Sequence, residues 1–498
     1  MELVNQVLAL LAYLFVLTAG LAALGVIVLY IVDRTQTKHA IRRNYPVVGR
    51  FRYFFEELGE FFRQYFFAMD REEMPFNRAE RSWVYRAAKG IDNTVAFGST
   101  RDLGRAGTPV FVNDPWPALD PDSVAPEVVT IGAASCRHPY STNRILHVSG
   151  MSFGAISKPA IRALSKGARM AGCWLNTGEG GLSPYHLEGG ADIVFQIGTA
   201  RYGVRNPDGT LDEEKLQQIA THEQVRMFEI KLSQGAKPGK GGMLPGAKVT
   251  EEIAAVRGIP VGQESLSPNR HPDVANAGEL LDFIDRVREL TGKPVGFKAV
   301  IGSADWLREL FAEVRSRGGM AGPDFITVDS GDGGTGAAPM PLMDCVGLTV
   351  RESLPLVIDA LVEAGMRDRV KVIASGKMII PSAVASAFCM GADFVVTARG
   401  FMFSLGCIQA MKCNLNTCPT GITTHDKHLQ RGLDPANKAN RVMHYQQNME
   451  KEVGVIAHSC GVREPRQLRR NHCRIVLPDG RTRPLDEIFP YREVPPAA

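Results

Sequence analysis

The chain has 498 residues, of which 45% are hydrophobic and 22% charged, and its formal net charge is +4. This length can hold one large core with smaller flanking pieces, and the composition is that of a folded enzyme rather than a disordered chain. A net charge this small for the length gives no electrostatic case for nucleic-acid binding.

The N-terminal segment differs from everything after it. Residues 3–32 contain no charged side chain and exceed the roughly 20 residues that a bilayer-spanning helix requires, so we expect a transmembrane helix. A cleaved signal peptide is the competing interpretation, but the segment lacks a basic start and its apolar run is too long. A buried core helix is less favoured at this length.

The residues behind this segment indicate its orientation. Only Glu2 is charged in front of it, and one acid, Asp33, follows it, together with six basic residues: Arg34, Lys38, Arg42, Arg43, Arg50 and Arg52. An excess of Lys and Arg belongs on the cytoplasmic side, which places the body of the protein in the cytoplasm. Residues 51–66 then show aromatic side chains at helical spacing, and this amphipathic helix either lies on the membrane surface or packs against the main domain.

Eight short apolar runs alternate with helical patterns from residue 145 onward. We predict strands at residues 145–148, 173–176, 192–197, 227–232, 294–300, 324–328, 370–374 and 393–397. Eight strand–helix units over about 250 residues match a (β/α)8 barrel, whose active site lies at the carboxyl ends of the strands. The weakest crossover is 182–191, which leaves little room for a helix. An open doubly wound sheet is the alternative, but no G-x-G-x-x-G opens a helix after a strand, so a nicotinamide-binding Rossmann domain is not expected.

Glycine-rich segments follow five of these strands. They are residues 149–154, 176–181, 234–242, 329–336 and 375–377. Glycine lets the backbone approach a flat ring or a phosphate, and exposed N–H groups in such loops bind anions. Taken singly, each of these loops would be interpreted as an ordinary tight turn. Five at one end of one barrel predict a phosphate-bearing cofactor with a flat ring, its phosphate near Ser375, Gly376, Arg399 and Gly400.

Three of the nine cysteines, Cys407, Cys413 and Cys418, lie in one loop with C-x5-C-x4-C spacing followed by proline. Thiolates bind soft metals, and a three-iron cluster is the economical interpretation of three ligands. Zinc completed by His425 or His428 is the first alternative, and three buried thiols without a metal are the second. The odd cysteine count and this grouping favour a reducing compartment over a disulfide framework.

At this point the motifs resemble the flavin-binding synthase domain of glutamate synthase. The matching segments are M-S-F-G-A-I-S at 151–157, N-T-G-E-G-G at 176–181, Q-G-A-K-P-G-K-G-G-M-L-P-G at 234–246, S-G-D-G-G-T-G-A at 330–337, and the cysteine loop. The resemblance covers residues 126–422 and implies a (β/α)8 barrel with FMN and a 3Fe-4S cluster. It also implies that flavin reduced through the cluster passes a hydride to 2-iminoglutarate, formed from 2-oxoglutarate and ammonia, to give glutamate.

The same resemblance implies roles for individual residues. The substrate would meet Glu179, Lys231, Lys237, Met243 and Arg257, and the cluster would be held by Cys407, Cys413 and Cys418. The flavin would be bound by Ser149, Gly150, Met151, Ser152, Gln196, Lys298, Ser330, Asp332, Gly333, Gly334, Thr335, Gly336, Ser375, Gly376, Arg399 and Gly400. A dicarboxylate substrate needs fixed cations, and a positive Lys298 would stabilise an anionic reduced flavin.

The chain departs from the family pattern in several places. Met243 replaces a glutamine expected to touch the oxo acid, and Ala-Ser-Gly at 374–376 replaces Asp-Gly-Gly. A membrane span stands where the full-length enzyme has its glutamine amidotransferase domain, and the C-terminal β-helix is absent, so the chain is not expected to release ammonia from glutamine itself. A separate ammonia source and an electron donor, either a ferredoxin, a reductase subunit or a membrane carrier, are expected partners.

These observations combine into one expected organisation. It consists of an anchor at 1–33, a juxtamembrane region at 34–125, the barrel with its cysteine loop at 126–422, and a short, mostly helical segment at 423–498. Two other functions stay open: a related flavoenzyme that forms or oxidises a different amine, which Met243 favours, and a membrane-attached electron-transfer module. Glu179, Lys237 and Arg257 argue against the module, because a relay needs no substrate pocket.

Overall fold

The structure is a computed structural model that describes residues 1–492. Its chain divides into two compact units, Met1–Glu80 and the remainder from Arg81 onward.

The first unit is helical. Its helices are Glu2–Thr35, Ala40–Asn44, Gly49–Phe62 and a π-helical turn, Arg63–Phe67. Helix Glu2–Thr35 is long and apolar enough to cross a membrane, and none of its most apolar stretch is buried in the protein. A signal sequence would share the length and composition of this helix, and a core helix would be mostly buried.

The second unit contains a closed barrel of eight parallel strands, which confirms the predicted fold class. In chain order the strands are β1 (Leu146–Val148), β2 (Leu175–Asn176), β3 (Ile193–Ile197), β4 (Val225–Lys231), β5 (Val295–Val300), β6 (Phe325–Asp329), β7 (Lys371–Ser375) and β8 (Phe394–Thr397). Each strand pairs with the next, and β8 closes on β1 through the Thr397–Val148 register. All eight lie within or beside the predicted runs.

Helices cover the outside of the barrel. They are Lys158–Ala171, Pro184–Leu187, Glu213–Thr221, Glu251–Arg257, Ala277–Thr291, Asp305–Ser316, Met340–Cys345, Val350–Glu363, Pro381–Cys389 and Arg399–Leu405. The crossover between β2 and β3 holds only the one-turn helix Pro184–Leu187, as its short sequence predicts. The barrel departs from regularity at this crossover and at a register shift between Ile193 and Val194, where β3 pairs with β4.

The amino ends of the strands are closed by a hairpin of Val129–Ile131 and Tyr140–Thr142. Ile131 and Tyr140 pack against a buried cluster that includes Trp174, Phe325 and Phe394. Because this end is filled with apolar side chains, the polar chemistry of the barrel is confined to the opposite, carboxyl end.

The C-terminal segment is mostly helical, as predicted, with Lys427–Gln430, Pro435–Ser459 and Leu485–Ile488. Helix Pro435–Ser459 packs so closely on Lys158–Ala171 that a Cβ at Gly167 would lie 2.4 Å from the Val442 Cβ. Two strands were not predicted: Cys473–Val476 and Thr482–Pro484 form an antiparallel sheet with Pro109–Phe111.

Candidate active site

A polar cleft opens at the carboxyl ends of the barrel strands. It encloses about 950 Å³ of space, part of it open to solvent, and adjoins a second hollow of about 530 Å³ that shares Gly150, Gln196, Lys231 and Arg399. The predicted site residues that line one or both are Ser149, Gly150, Met151, Ser152, Glu179, Gln196, Lys231, Lys237, Met243, Arg257, Lys298, Gly334, Thr335, Gly336, Ser375, Gly376, Arg399 and Cys413. The fold thus brings together segments that are far apart in the sequence.

One end of the cleft concentrates positive charge around Glu179. The Glu179 Oε2 lies 3.0 Å from the Lys231 Nζ, at the end of β4, and Lys231 also donates to the Gln234 side chain. Burial alone would raise the pKa of Glu179, but Lys231, Lys237 and Arg257 outweigh burial together and hold the pKa below its usual value. Glu179 is therefore an anion at neutral pH.

Among these cations, Lys237 has a pKa that the site lowers toward neutral pH. It lies in the loop after β4 and is buried, and burial lowers its pKa to about 8 despite the opposing attraction of Glu179. An anionic ligand beside Lys237 would restore the charged form, because opposite charges stabilise each other in a poorly solvated site.

Arg257, the last residue of helix Glu251–Arg257, reaches the same end of the cleft. Its guanidinium donates to the Phe153 carbonyl at 3.1 Å and to the hydroxyls of Ser152 and Ser265 at 3.3 Å. Its Nε is buried and has no hydrogen-bond acceptor within the described part of the chain. The guanidinium is thus held in place with one donor left over.

Met243 lies at the rim, where Met243–Leu244 pairs with Ser265–Leu266 in a two-stranded antiparallel sheet. Its side chain is 38% exposed and lines the cleft. The preceding Gly242 approaches Glu179 so closely that a Cβ would lie 2.3 Å from the Oε1 atom. This glycine lets the loop close over the carboxylate and brings Met243 to the edge of the charged group.

The other end of the cleft contains a buried ion pair between β5 and β6. The Lys298 Nζ lies 3.2 Å from the Asp329 Oδ2, which also accepts the Gly235 amide at 2.9 Å. Burial acts to lower the pKa of Lys298, but Asp329 and Glu229 outweigh it and raise the pKa. Lys298 is thus a fixed cation in the floor of the second hollow.

Free backbone amides lie in this hollow, at Gly334 and Gly376, and in the adjoining part of the cleft, at Thr335 and Gly336. Across residues 1–492, no protein acceptor takes the N–H groups of Gly334, Thr335, Gly336 or Gly376. The hollow is also lined by Lys377, whose Nζ lies 2.9 Å from Asp332, and by Arg399, which donates to the Thr335 carbonyl. Free amides beside cations form an anion site, as a phosphate group requires.

Some residues predicted to contact the flavin lie outside the lining. The Ser330 hydroxyl accepts the Val350 amide at 2.9 Å and donates to Asp332, so this pair holds the loop after β6, with Gly333 folded back on Ser330. Gly400 faces away from the cleft, because a Cβ there would lie 2.1 Å from the Tyr445 hydroxyl. Its glycine is explained by helix packing.

The cysteine loop borders the cleft. The Cys413 Sγ lies 4.0 Å from an Arg399 nitrogen, and Cys418 is buried with its Sγ 3.3 Å from the Thr420 hydroxyl. Burial raises the pKa of Cys407. At Cys418 burial acts in the same direction, but hydrogen bonds from Thr420 and Thr423 outweigh it and lower the pKa.

The described residues show no metal site at the cysteine loop, so the predicted ligand set of Cys407, Cys413 and Cys418 stays a prediction. Among the described residues, no three His, Cys, Asp or Glu side chains are grouped to hold one metal ion. Three non-glycine residues of the loop have left-handed backbone, with φ of 57° at Gln409, 52° at Met411 and 60° at Asn416. Such strain persists only where the surroundings fix the conformation.

Comparison with known proteins decides the family. The family model for the conserved region in glutamate synthase matches residues 110–463. The chain is 38% identical to the glutamate synthase large subunit-like protein YerD of Bacillus subtilis, over 97% of this chain and 98% of that protein. The chain belongs to the glutamate synthase family.

More distant relatives match about two thirds of the chain. The archaeal-type glutamate synthase [NADPH] of Thermotoga maritima is 35% identical, over 65% of this chain and 60% of that protein. A mutant flavocytochrome b2 with benzoylformate is a structural neighbour, with a TM-score of 0.46, 12% identity, and 80% of this chain and 79% of that chain covered. This last similarity is too low to carry an assignment.

The cleft of this member of the glutamate synthase family also depends on a buried carboxylate that was not predicted from the sequence. Glu229 of β4 accepts hydrogen bonds from Asn176 at 2.8 Å, Gln196 at 2.6 Å and Thr327 at 2.6 Å. It orients Gln196 toward the cleft from inside the barrel. The signal was present, since a glutamate in the apolar run M-F-E-I-K is unusual in a buried strand.

Lys248 was also missed. It is 2% exposed, and its Nζ donates to the Ala155 carbonyl and to the Cys413 carbonyl, both at 3.0 Å. Burial lowers its pKa to about 8, although the thiols of Cys413 and Cys418 act in the opposite direction. This side chain ties the wall of the glutamate synthase-type cleft to the cysteine loop.

Proposed function

We propose that the protein is a glutamate synthase-like oxidoreductase that uses FMN and a 3Fe-4S cluster to reduce the imine of a 2-oxo acid, with 2-oxoglutarate and ammonia giving glutamate. The observation that carries this proposal is the charge of the cleft. One carboxylate, Glu179, faces the three cations Lys231, Lys237 and Arg257, which leaves two positive charges without an anionic partner. A dicarboxylate substrate would supply the two missing negative charges.

The cations have separate roles in this proposal. Lys237 and Arg257 bind the two carboxylates, with Arg257 held by Ser152 and Phe153 and therefore ordered before the substrate arrives. Lys231, paired with Glu179 at 3.0 Å, keeps that carboxylate ionised and close to the position where an imine nitrogen exchanges a proton. Because Gly242 has no side chain, its loop can pass directly over the Lys231–Glu179 pair.

FMN fits the second hollow and the adjoining part of the cleft. The phosphate is assigned to the free amides of Gly376 and its neighbours with Arg399 and Lys377, and the ring to the segment after β1 and to Gln196. The bound flavin would supply the hydride. Lys298 would hold a positive charge near the ring, which favours an anionic reduced form.

The cluster is assigned to Cys407, Cys413 and Cys418. What supports this assignment is that the three thiols lie in one loop and that Cys413 lines the cleft. The Lys248 side chain, which donates to the Cys413 carbonyl, helps to hold the loop beside the cleft. The left-handed backbone at Gln409, Met411 and Asn416 indicates that the loop conformation is fixed by such contacts. The cluster would pass electrons from an outside donor to the flavin.

Helix Glu2–Thr35 is assigned as a single membrane span with the barrel in the cytoplasm, on the charge asymmetry around it. The electron donor is then a ferredoxin, a reductase subunit or a membrane carrier, and ammonia comes from a separate source. A second candidate function is favoured by Met243, whose thioether leaves the rim less polar than a glutamine would. It is the formation or oxidation of a different amine in the same cleft.

The cofactor part is tested by anaerobic purification. We expect FMN in the acid extract and about three irons per chain, with sulfide. An extract without flavin, or a preparation with about one zinc and no iron, contradicts the cofactor assignments separately.

A further inference from the structure

Segment 49–67, in the first unit, exposes an unusual amount of aromatic surface. Phe51, Phe54, Phe55, Phe61 and Phe66, the aromatic face, are between 52% and 66% exposed. Phe51 stacks on Phe55 at 6.5 Å, and Phe62 lies 5.2 Å from Phe66, so rings of the segment contact one another. Contiguous apolar surface of this kind marks an interaction site.

The opposite side of the same helix is polar. Arg52 and Glu56 lie on it, and Arg63 extends it into the π-helical turn. A helix with phenylalanines on one side and charged residues of both signs on the other is strongly amphipathic, and such helices can lie in a membrane interface with the apolar face in the headgroup boundary.

The chain holds the start of this helix against the end of the long apolar helix. Asp33, 1% exposed, accepts two hydrogen bonds from the Arg50 guanidinium, at 2.7 and 2.8 Å, and the Val47 amide at 3.0 Å. Bidentate pairs of this kind fix orientation as well as distance.

The loop between the two helices is closely packed. The Gln36 side chain accepts the His39 amide at 2.8 Å and donates to the Asp33 carbonyl at 3.1 Å. A Cβ at Gly49 would lie 2.9 Å from the Ile41 carbonyl oxygen. The connection between the two helices therefore has a defined conformation. It places Phe51, the first residue of the aromatic face, next to the last turn of helix Glu2–Thr35.

We propose that the aromatic face is a second membrane contact, inserted in the cytoplasmic headgroup layer of the bilayer that helix Glu2–Thr35 crosses. This inference rests on the membrane span of the proposed function. The bilayer is favoured over another occupant because the ion pair between Asp33 and Arg50 starts the aromatic face at the level where the span leaves the membrane. Aromatic residues concentrate at that level, and nearby Arg42 and Arg43 suit anionic headgroups.

The test uses the full-length protein in vesicles of phosphatidylcholine and phosphatidylglycerol. Phe55→Trp places a fluorophore on the aromatic face, and Glu56→Trp places one on the polar face of the same turn. Each adds to the same background of four native tryptophans. Lipids brominated near the headgroup should quench the added emission of Phe55→Trp about twofold more than that of Glu56→Trp.

Vesicle flotation keeps the outcomes apart. If the vesicles float and the protein does not float with them, both the membrane span and this inference are contradicted. Co-flotation with equal quenching of the two variants contradicts this inference alone and indicates that the aromatic face is covered by protein, either the barrel unit or a second copy. Both variants should retain the circular dichroism spectrum of the parent protein.

Discussion

The charges around Glu179 make the cleft selective before any substrate binds. Lys231 pairs with the carboxylate at 3.0 Å, Lys237 is buried beside it, and Arg257 is held by the protein with an Nε donor that has no acceptor among the described residues. Since such charges are desolvated, each hydrogen bond to an anionic ligand is stronger than its counterpart at the surface. The arrangement favours ligands with two negative charges.

Lys237 should make dicarboxylate binding depend on pH. Its pKa of about 8 leaves it charged at neutral pH and uncharged above that value. We expect calorimetry to show affinity for 2-oxoglutarate constant below pH 7.5 and falling as pH rises through about 8, with Lys237→Met about tenfold or more weaker at pH 7 and insensitive to this titration. The exposed Lys451→Met, whose charge does not act on Lys237, is the control, and an equal loss in that variant would contradict the role of Lys237.

Met243 should limit the use of 2-oxoglutarate. A thioether is a weak acceptor and donates nothing, so a substrate oxygen that a glutamine would bind stays unpaired, at a cost of about 1 to 3 kcal/mol. We expect 2-oxoglutarate with ammonia to reoxidise the reduced flavin slowly, and Met243→Gln to raise the single-turnover rate. The control is Met340→Gln, an exposed methionine outside the cleft lining. Equal rates would mean that Met243 is only a packing residue and that water or Lys237 makes the contact.

At this scale the sequence predicts which residues reach the cleft better than it predicts their partners. The resemblance to glutamate synthase predicts Glu179, Lys237 and Lys298 as site residues, and the barrel brings them together because its strands direct their carboxyl ends to one side. Lys248 could not be found in this way. Its role depends on two carbonyls, of Ala155 and Cys413, that are remote in the sequence and meet only when two loops fold against each other.

The cysteine loop is the element whose cofactor is tested most simply. Cys413→Ser should remove iron and the visible absorption of the cluster together, because a hydroxyl does not replace a thiolate on iron. Iron and sulfide analysis with electron paramagnetic resonance of anaerobic protein checks this result. Cys345→Ser, at an exposed cysteine outside the loop, should leave both unchanged. Full iron content in Cys413→Ser would contradict the assignment.

Among the secondary-structure elements, the barrel strands were predictable and the terminal sheet was not. Strands such as β3 and β6 are mostly apolar and are followed by glycine within two residues, which is a local signal. The strand Cys473–Val476 is short and carries arginine, and it forms because Pro109–Phe111 supplies a partner from the other end of the chain. Strand pairing between segments so far apart in the sequence leaves no local pattern of apolar residues from which it could be predicted.

The whole molecule should have one orientation in the membrane. The basic residues that follow helix Glu2–Thr35 predict that the barrel unit faces the cytoplasm. Protease added to intact cells should leave the barrel unit uncut, and detergent permeabilisation should make it susceptible. Digestion in intact cells would contradict the orientation, and recovery of all the protein in the soluble fraction would contradict the span.

The central claim is that this cleft reduces an imine at a bound flavin, and anaerobic stopped-flow spectroscopy tests it most directly. Photoreduced protein is mixed with 2-oxo acids, 2-oxoglutarate first, with and without ammonium, and the return of flavin absorbance is followed while the amino acid product is quantified. The account predicts reoxidation that requires ammonium and gives one amino acid per flavin, faster in Met243→Gln when the acid is 2-oxoglutarate. Flavin-loaded protein that no 2-oxo acid reoxidises, or whose rate is independent of ammonium, would contradict it.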